Sequence, residues 1–191
     1  ITAGNATLAS FDGSISRSDF RSLPAGFATL SGDVSYLKTG RHYQTTVRSY
    51  QGFHSGVFIA HTNKAGEYAN YAYYGDSTAA TQMPVSGKAT YSGTAFDRQD
   101  RGTLTYRVDF GAKQGEGNIE GLSRYGRITL HPAKIDGNEI EGKASATANK
   151  LEYNYDGLFY GSGAEEFTGG LGSDQEAGEY IGFHGTRGDI Q

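Results

Sequence analysis

The 191-residue chain carries 29 glycines, 14 tyrosines, 10 phenylalanines and three prolines, with no cysteine and no tryptophan, a composition of short strands and tight turns that argues for an all-β fold. A formal net charge of −4 without a dense Lys/Arg run leaves no electrostatic grip on nucleic acid or anionic lipid. The lack of cysteine excludes disulfides, thiolate metal sites and cysteine nucleophiles. No stretch has the apolar length of a membrane helix, and Ile1-Thr2-Ala3-Gly4 lacks the features of a signal peptide, so the expectation is a mature, soluble, monomeric chain.

Residues 1–40 alternate short apolar segments, such as 6–11 and 27–31, with Gly, Ser and Asp, and are expected to form short strands or ordered loops with Pro24 in a turn. Residues 42–50 are rich in Thr, Tyr and Val and should be extended. Residues 51–56 turn the chain, 57–61 return it, and 68–75 form a further strand. A small, irregular N-terminal β domain over residues 1–83 follows. Residues 76–84 are small and polar and end in Pro84, which places the junction there, between two packed domains.

Residues 84–191 hold eight strand candidates, beginning near Lys88, Gly102, Glu116, Gly126, Glu139, Tyr153, Phe167 and Gly178. Leu104, Tyr106, Val108 and Phe110 share one face by period-two alternation, as do Ile140, Gly142, Ala144 and Ala146. Large residues on one strand opposite small ones on another fill a narrow interior, so the expected C-terminal domain is an eight-stranded antiparallel β-barrel acting as a packed support.

Four segments of this half carry a resemblance. Phe159-Tyr160-Gly161 leads into Ala164-Glu165-Glu166 and Gly169; Gly93-Thr94-Ala95-Phe96 precedes Leu104-Thr105-Tyr106 and Asp109-Phe110; Ile135-Asp136-Gly137-Asn138 precedes Glu141-Gly142. Together they resemble the transferrin-binding-protein-B-like barrel of neisserial and related surface proteins, including factor H binding protein and the heparin-binding antigen. The resemblance implies an eight-stranded barrel packed on a smaller N-terminal handle, in a bacterial protein that binds something from a host. Within that group the plan of one handle and one barrel is similar to the haemophilin-type haemophores. The match is dense in the barrel and thin in the handle, so no binding residue carries over from it. The corner at Gly161 and Gly163 is read as structural, with Glu165 and Glu166 in a solvated turn.

Five histidines are present: His42, His54, His61, His131 and His184. The first three lie among Tyr43, Tyr50, Phe53, Phe58 and Tyr68. A haem b group held non-covalently needs aromatic walls, an imidazole for the iron and polar or basic groups for its propionates. The handle holds all three, with Arg41 and Arg48 as the basic groups. His42 and His54 rank first as iron ligands, then His61, with Tyr43, Arg41 and Phe58 lining the site. His54 and His61 are an odd number of residues apart, so one continuous strand would put them on opposite faces. His131 and His184 are read as structural. Tyr68, Tyr71, Tyr73 and Tyr74 are read mainly as core or interface packing, with tyrosine ligation of haem iron a minor option.

No nucleophile elbow, zinc-protease motif, phosphate-binding loop or complete dinucleotide fingerprint occurs, and no enzyme activity is expected. Arg187-Gly188-Asp189 is read as a chance tripeptide in a Gly-rich tail. The leading expectation is a secreted Gram-negative haemophore. It would leave through outer-membrane secretion machinery, capture haem from a host source such as haemoglobin, and pass it to an outer-membrane receptor. The alternative is a lipoprotein-type surface adhesin or immune evader that binds a host protein or glycan through exposed loops.

Overall fold

The Thr-, Tyr- and Val-rich stretches of the N-terminal half pair more regularly than their glycine and serine content leads one to expect. The computed structural model describes residues 2–3, 6–7, 25–35, 42–62 and 69–191, so Pro24 and Arg41 lie outside the described residues. Strands β1 (Thr2–Ala3) and β2 (Ala6–Thr7) form a minimal antiparallel pair. A four-stranded antiparallel meander follows, of β3 (Gly26–Ser35), β4 (His42–Gln51), β5 (Ser55–Thr62) and β6 (Ala69–Gly75). β3 and β4 pair along their whole length, from Gly26 opposite Gln51 to Ser35 opposite His42. This sheet is the handle.

Residues 76–87 then cross to the barrel, with one 3₁₀ turn at Ala80–Gln82. The barrel strands are β7 (Lys88–Phe96), β8 (Arg101–Asp109), β9 (Gln114–Leu122), β10 (Gly126–Asp136), β11 (Glu139–Ala146), β12 (Glu152–Tyr160), β13 (Glu166–Ser173) and β14 (Glu176–Arg187). Each starts within two residues of its expected position. β14 closes on β7, with Gly182 opposite Phe96 and Arg187 opposite Tyr91, so the eight strands form a closed antiparallel barrel.

The barrel interior is filled by the expected alternating side chains. Leu104, Tyr106, Val108 and Phe110 are buried, as are Ile140, Ala144 and Ala146. Large groups occupy the space opposite small ones: a Cβ on Gly142 would lie 2.5 Å from the Tyr155 ring, so only glycine admits that ring. Tyr106 stacks on Phe167 at 4.6 Å, and its hydroxyl meets that of Tyr155 at 3.0 Å. The Tyr155 hydroxyl in turn donates to the His131 carbonyl at 2.7 Å. These phenols bury large rings while keeping their oxygens paired, which is the condition for tyrosine in a core.

The handle packs on the outside of this barrel through one face of its sheet. Val57 and Ile59 alternate toward the barrel and meet Phe96, framed by Phe27, Tyr50, Tyr71, Tyr73 and Tyr180. Phe58 and Ala60, of opposite parity, and Val47, which pairs with Ala60, are also buried and point to the other face. Gly182 supplies the close approach: a Cβ there would lie 2.9 Å from Val57.

Candidate functional site

The turn between β4 and β5 is where handle and barrel are tied most closely. Gly52 N–H donates to the Ser55 carbonyl at 2.8 Å and closes it. Beneath it sits Glu166, the first residue of β13. Its Oε1 accepts from the backbone N–H of Phe53 at 2.8 Å and of His54 at 3.0 Å. Its Oε2 accepts from Ser55 Oγ at 2.5 Å and lies 2.9 Å from His184 Nε2. Ser55 Oγ also meets Thr168 Oγ1 at 2.8 Å. The Tyr50 ring covers His184 with centroids 4.9 Å apart.

Glu166 and His184 are each 3% exposed, so the expectation of a solvated Glu166 is corrected: the carboxylate is a buried anchor with four donors. Burial pushes its carboxyl pKa up, but donation from His184, Ser55 and the His54 amide outweighs that and holds it at about 2. Gly52 makes the approach possible, since a Cβ there would fall 2.1 Å from His184 Nε2. Glu165 instead caps the corner, accepting from Gly163 N–H at 2.9 Å.

The outer side of this turn is different in character. Phe53 is 89% exposed, the most exposed large apolar side chain among the described residues. His54 is half-buried, with its ring edge-on to Phe53 at 4.7 Å. The His54 carbonyl accepts from Asp76 N–H at 3.0 Å and the Asp76 carbonyl from Gly161 N–H at 2.9 Å, which ties turn, linker and barrel corner in one chain of bonds.

Two further contacts fix the handle. The Tyr71 and Tyr73 hydroxyls both donate to the Asp156 carboxylate on β12, and burial together with that carboxylate raises both phenol pKa values. On β4, in the same cross-strand row as Tyr71 but two strands away, the Arg48 guanidinium donates to the carbonyls of Asp97 and Asp100 in the β7–β8 turn. Arg101 lies over the Phe27 ring at 4.0 Å.

The expected haem ligands are spread along the handle. His42 and Tyr43 begin β4, and their side chains lie outside the described residues. His61 pairs with Thr46, so it stands toward the His42 end of the sheet. Burial, and then the Arg98 and Arg48 guanidiniums, lower the His61 pKa, and the imidazole is neutral at pH 7. His54 stands at the other end. Nine residue steps along β4 separate His42 from the start of the turn at Gln51, about 30 Å at strand spacing, so His42 and His54 do not converge on one iron. Phe58 is 2% exposed, inside the handle. Among the described residues, no group of three or more His, Asp or Glu side chains is placed to hold a metal ion.

His131 Nε2 meets Ser145 Oγ at 2.9 Å on the outer barrel wall, and His184 belongs to the buried anchor. Arg187 is not presented as part of an adhesive tripeptide: its guanidinium donates to the carbonyls of Gly163 and Gly188. Sequence reasoning placed Phe53 only among the aromatics near the histidines. The signal was present in Gly52-Phe53-His54-Ser55-Gly56, a large apolar residue at the tip of a turn with nothing local to bury it.

Residues 81–171 match the family model described as factor H binding protein, C-terminal. Among solved structures, the chain is similar to the haemoglobin receptor HpuA from Kingella denitrificans, with a TM-score of 0.65 at 15% identity over 87% of this chain and 68% of that one. The same receptor in complex with human haemoglobin gives a TM-score of 0.61 at 13% identity over 89% and 86%. Transferrin binding protein B from Haemophilus parasuis gives 0.62 at 17% identity over 88% of this chain, which spans 38% of that protein's length. At these identities the likeness is one of fold, a handle sheet beside an eight-stranded barrel.

Proposed function

We propose that this chain is a handle-and-barrel unit of a Gram-negative cell-surface protein that binds a host iron-carrying protein, with haemoglobin as the first partner to test. The observation that carries the reading is Phe53, 89% exposed at the tip of a turn whose backbone is bonded to the barrel. A large apolar side chain held out on a fixed turn offers an anchor for a partner's pocket, and buried aromatic anchors dominate binding energy at interfaces. Two kinds of similar fold support the choice of partner: one is solved with human haemoglobin bound, the other is named for transferrin. Immobilised protein should retain human haemoglobin or transferrin from solution, and Phe53→Ala should release it.

Capture of free haem is the second reading, favoured by one feature of the same turn. His54 is a half-buried imidazole beside an exposed aromatic ring, a pairing that suits the edge of a haem. Since His54 and His42 do not converge, a single protein ligand is the form this reading takes. Titration with ferric haem should then give a saturable Soret shift that His54→Ala abolishes and His42→Ala leaves intact. In this reading release from the cell replaces attachment to its surface, and an outer-membrane receptor receives the haem.

A further inference from the structure

We infer that Glu166 is a positioning residue for recognition: the barrel supplies an anion that holds the handle's contact turn in its binding conformation before any partner arrives. The inference rests on the reading that Phe53 is a contact residue. Its physical basis is independent of who the partner is.

Consecutive backbone N–H groups in a turn converge to form a nest for an anion. Here the N–H groups of Phe53 and His54 converge on one oxygen, Glu166 Oε1, at 2.8 and 3.0 Å. The anion comes from a different domain, 113 and 112 residues away in sequence. The second oxygen is occupied by Ser55 Oγ and His184 Nε2, so the carboxylate has no freedom to turn away. Around His184 stand Tyr50 and Gly52 from the handle and Glu166 from the barrel, which leaves the imidazole nowhere else to go.

This bonding separates the two sides of the turn. Its inner side is a closed polar cluster; its outer side is the Phe53 ring. An isolated hairpin turn samples many conformations, and a partner must restrict them on binding. A turn already fixed by the barrel avoids that loss, so its contribution appears as affinity. Loss of the anchor with Phe53 still present should weaken partner binding ~10- to 100-fold. The arrangement also explains why handle and barrel occur as one unit here, since the handle's contact turn is completed by a barrel side chain.

The test is residue-resolved amide hydrogen exchange on the whole chain, paired with binding of human haemoglobin and transferrin, for wild type, Glu166→Ala, Glu166→Asp and Glu166→Gln. Gln keeps an oxygen toward both amides, with His184 free to change tautomer. Asp keeps the charge but withdraws it from the turn, and it stands in should Ala not fold. The expected result is slow exchange at Phe53 and His54 in wild type and Gln, near-complete loss of protection at those two amides in Ala or Asp, and in core amides such as Tyr106 and Leu171 only the smaller, uniform drop set by the lower global stability. Binding should weaken in Ala and Asp and largely recover in Gln. Fast exchange at the two amides in wild type overturns the proposal. So does protection at the two amides that falls no further than that of the core amides, or unchanged affinity in Ala and Asp. Unchanged affinity in Phe53→Ala, or no binding of either host protein, instead overturns the reading beneath it.

Discussion

Glu166 and His184 leave neighbouring barrel strands, 18 positions apart in sequence, and their side chains meet at 2.9 Å beneath a turn that belongs to the handle. The Glu166 carboxyl therefore makes this junction sensitive to acid. The Glu166 carboxyl titrates at about 2 in the folded protein, against an ordinary 4.5. A depressed carboxyl pKa stabilises the fold fully above the ordinary value, and that stability fades as pH falls from about 4.5 toward about 2. The expected size is on the order of 3 kcal/mol. Urea denaturation from pH 7 to pH 2 should show this loss below pH ~5. Glu166→Gln should be less stable at pH 7 and flatter across the acid range.

Gly52 has a similarly specific requirement. An alanine methyl would meet His184 Nε2 at 2.1 Å, and the imidazole is pinned by Glu166 and covered by Tyr50. Gly52→Ala is expected to cost about 2–4 kcal/mol, through overpacking and a broken buried hydrogen bond. Denaturation midpoints check the size. Loss of the slow-exchanging amides of Phe53 and His54 checks the location.

The Asp156 carboxylate joins Tyr71 and Tyr73 of the handle to the barrel wall. Each hydrogen bond to a charged acceptor is worth about 1.5–3 kcal/mol. Tyr73→Phe and Asp156→Asn should therefore couple in a double-mutant cycle, with an interaction energy of about 1–2 kcal/mol. A coupling near zero would mean that the Tyr73–Asp156 contact adds nothing to the attachment of the handle beyond its other contacts with the barrel.

How much of this was legible in the sequence depends on the range of the contact. The alternation of Leu104, Tyr106, Val108 and Phe110 is a local signal, and it gave the barrel face correctly. Turn residues at Gly137 and Gly161 likewise set strand ends, both with positive φ. The anchor left no such trace. Glu166 beside Glu165 reads as a solvated pair because its donors, Phe53 and His54, lie more than a hundred residues away. The clustering of His42, His54 and His61 within twenty residues suggested a shared ligand, but a β-strand is extended, and it carries residues near in sequence to opposite ends of a sheet.

The most direct test of the account is a binding titration of wild type and Phe53→Ala with human haemoglobin, run beside thermal melts of both. Phe53 is 89% exposed, so the substitution should leave the melting temperature unchanged. The account predicts saturable binding by wild type and a loss of roughly 30-fold or more in the variant, as expected for an interfacial anchor worth about 2 kcal/mol or more. Equal binding by the two proteins would contradict the assignment of the turn. Absence of binding together with a saturable Soret shift on adding haem would replace the host protein with haem as the ligand.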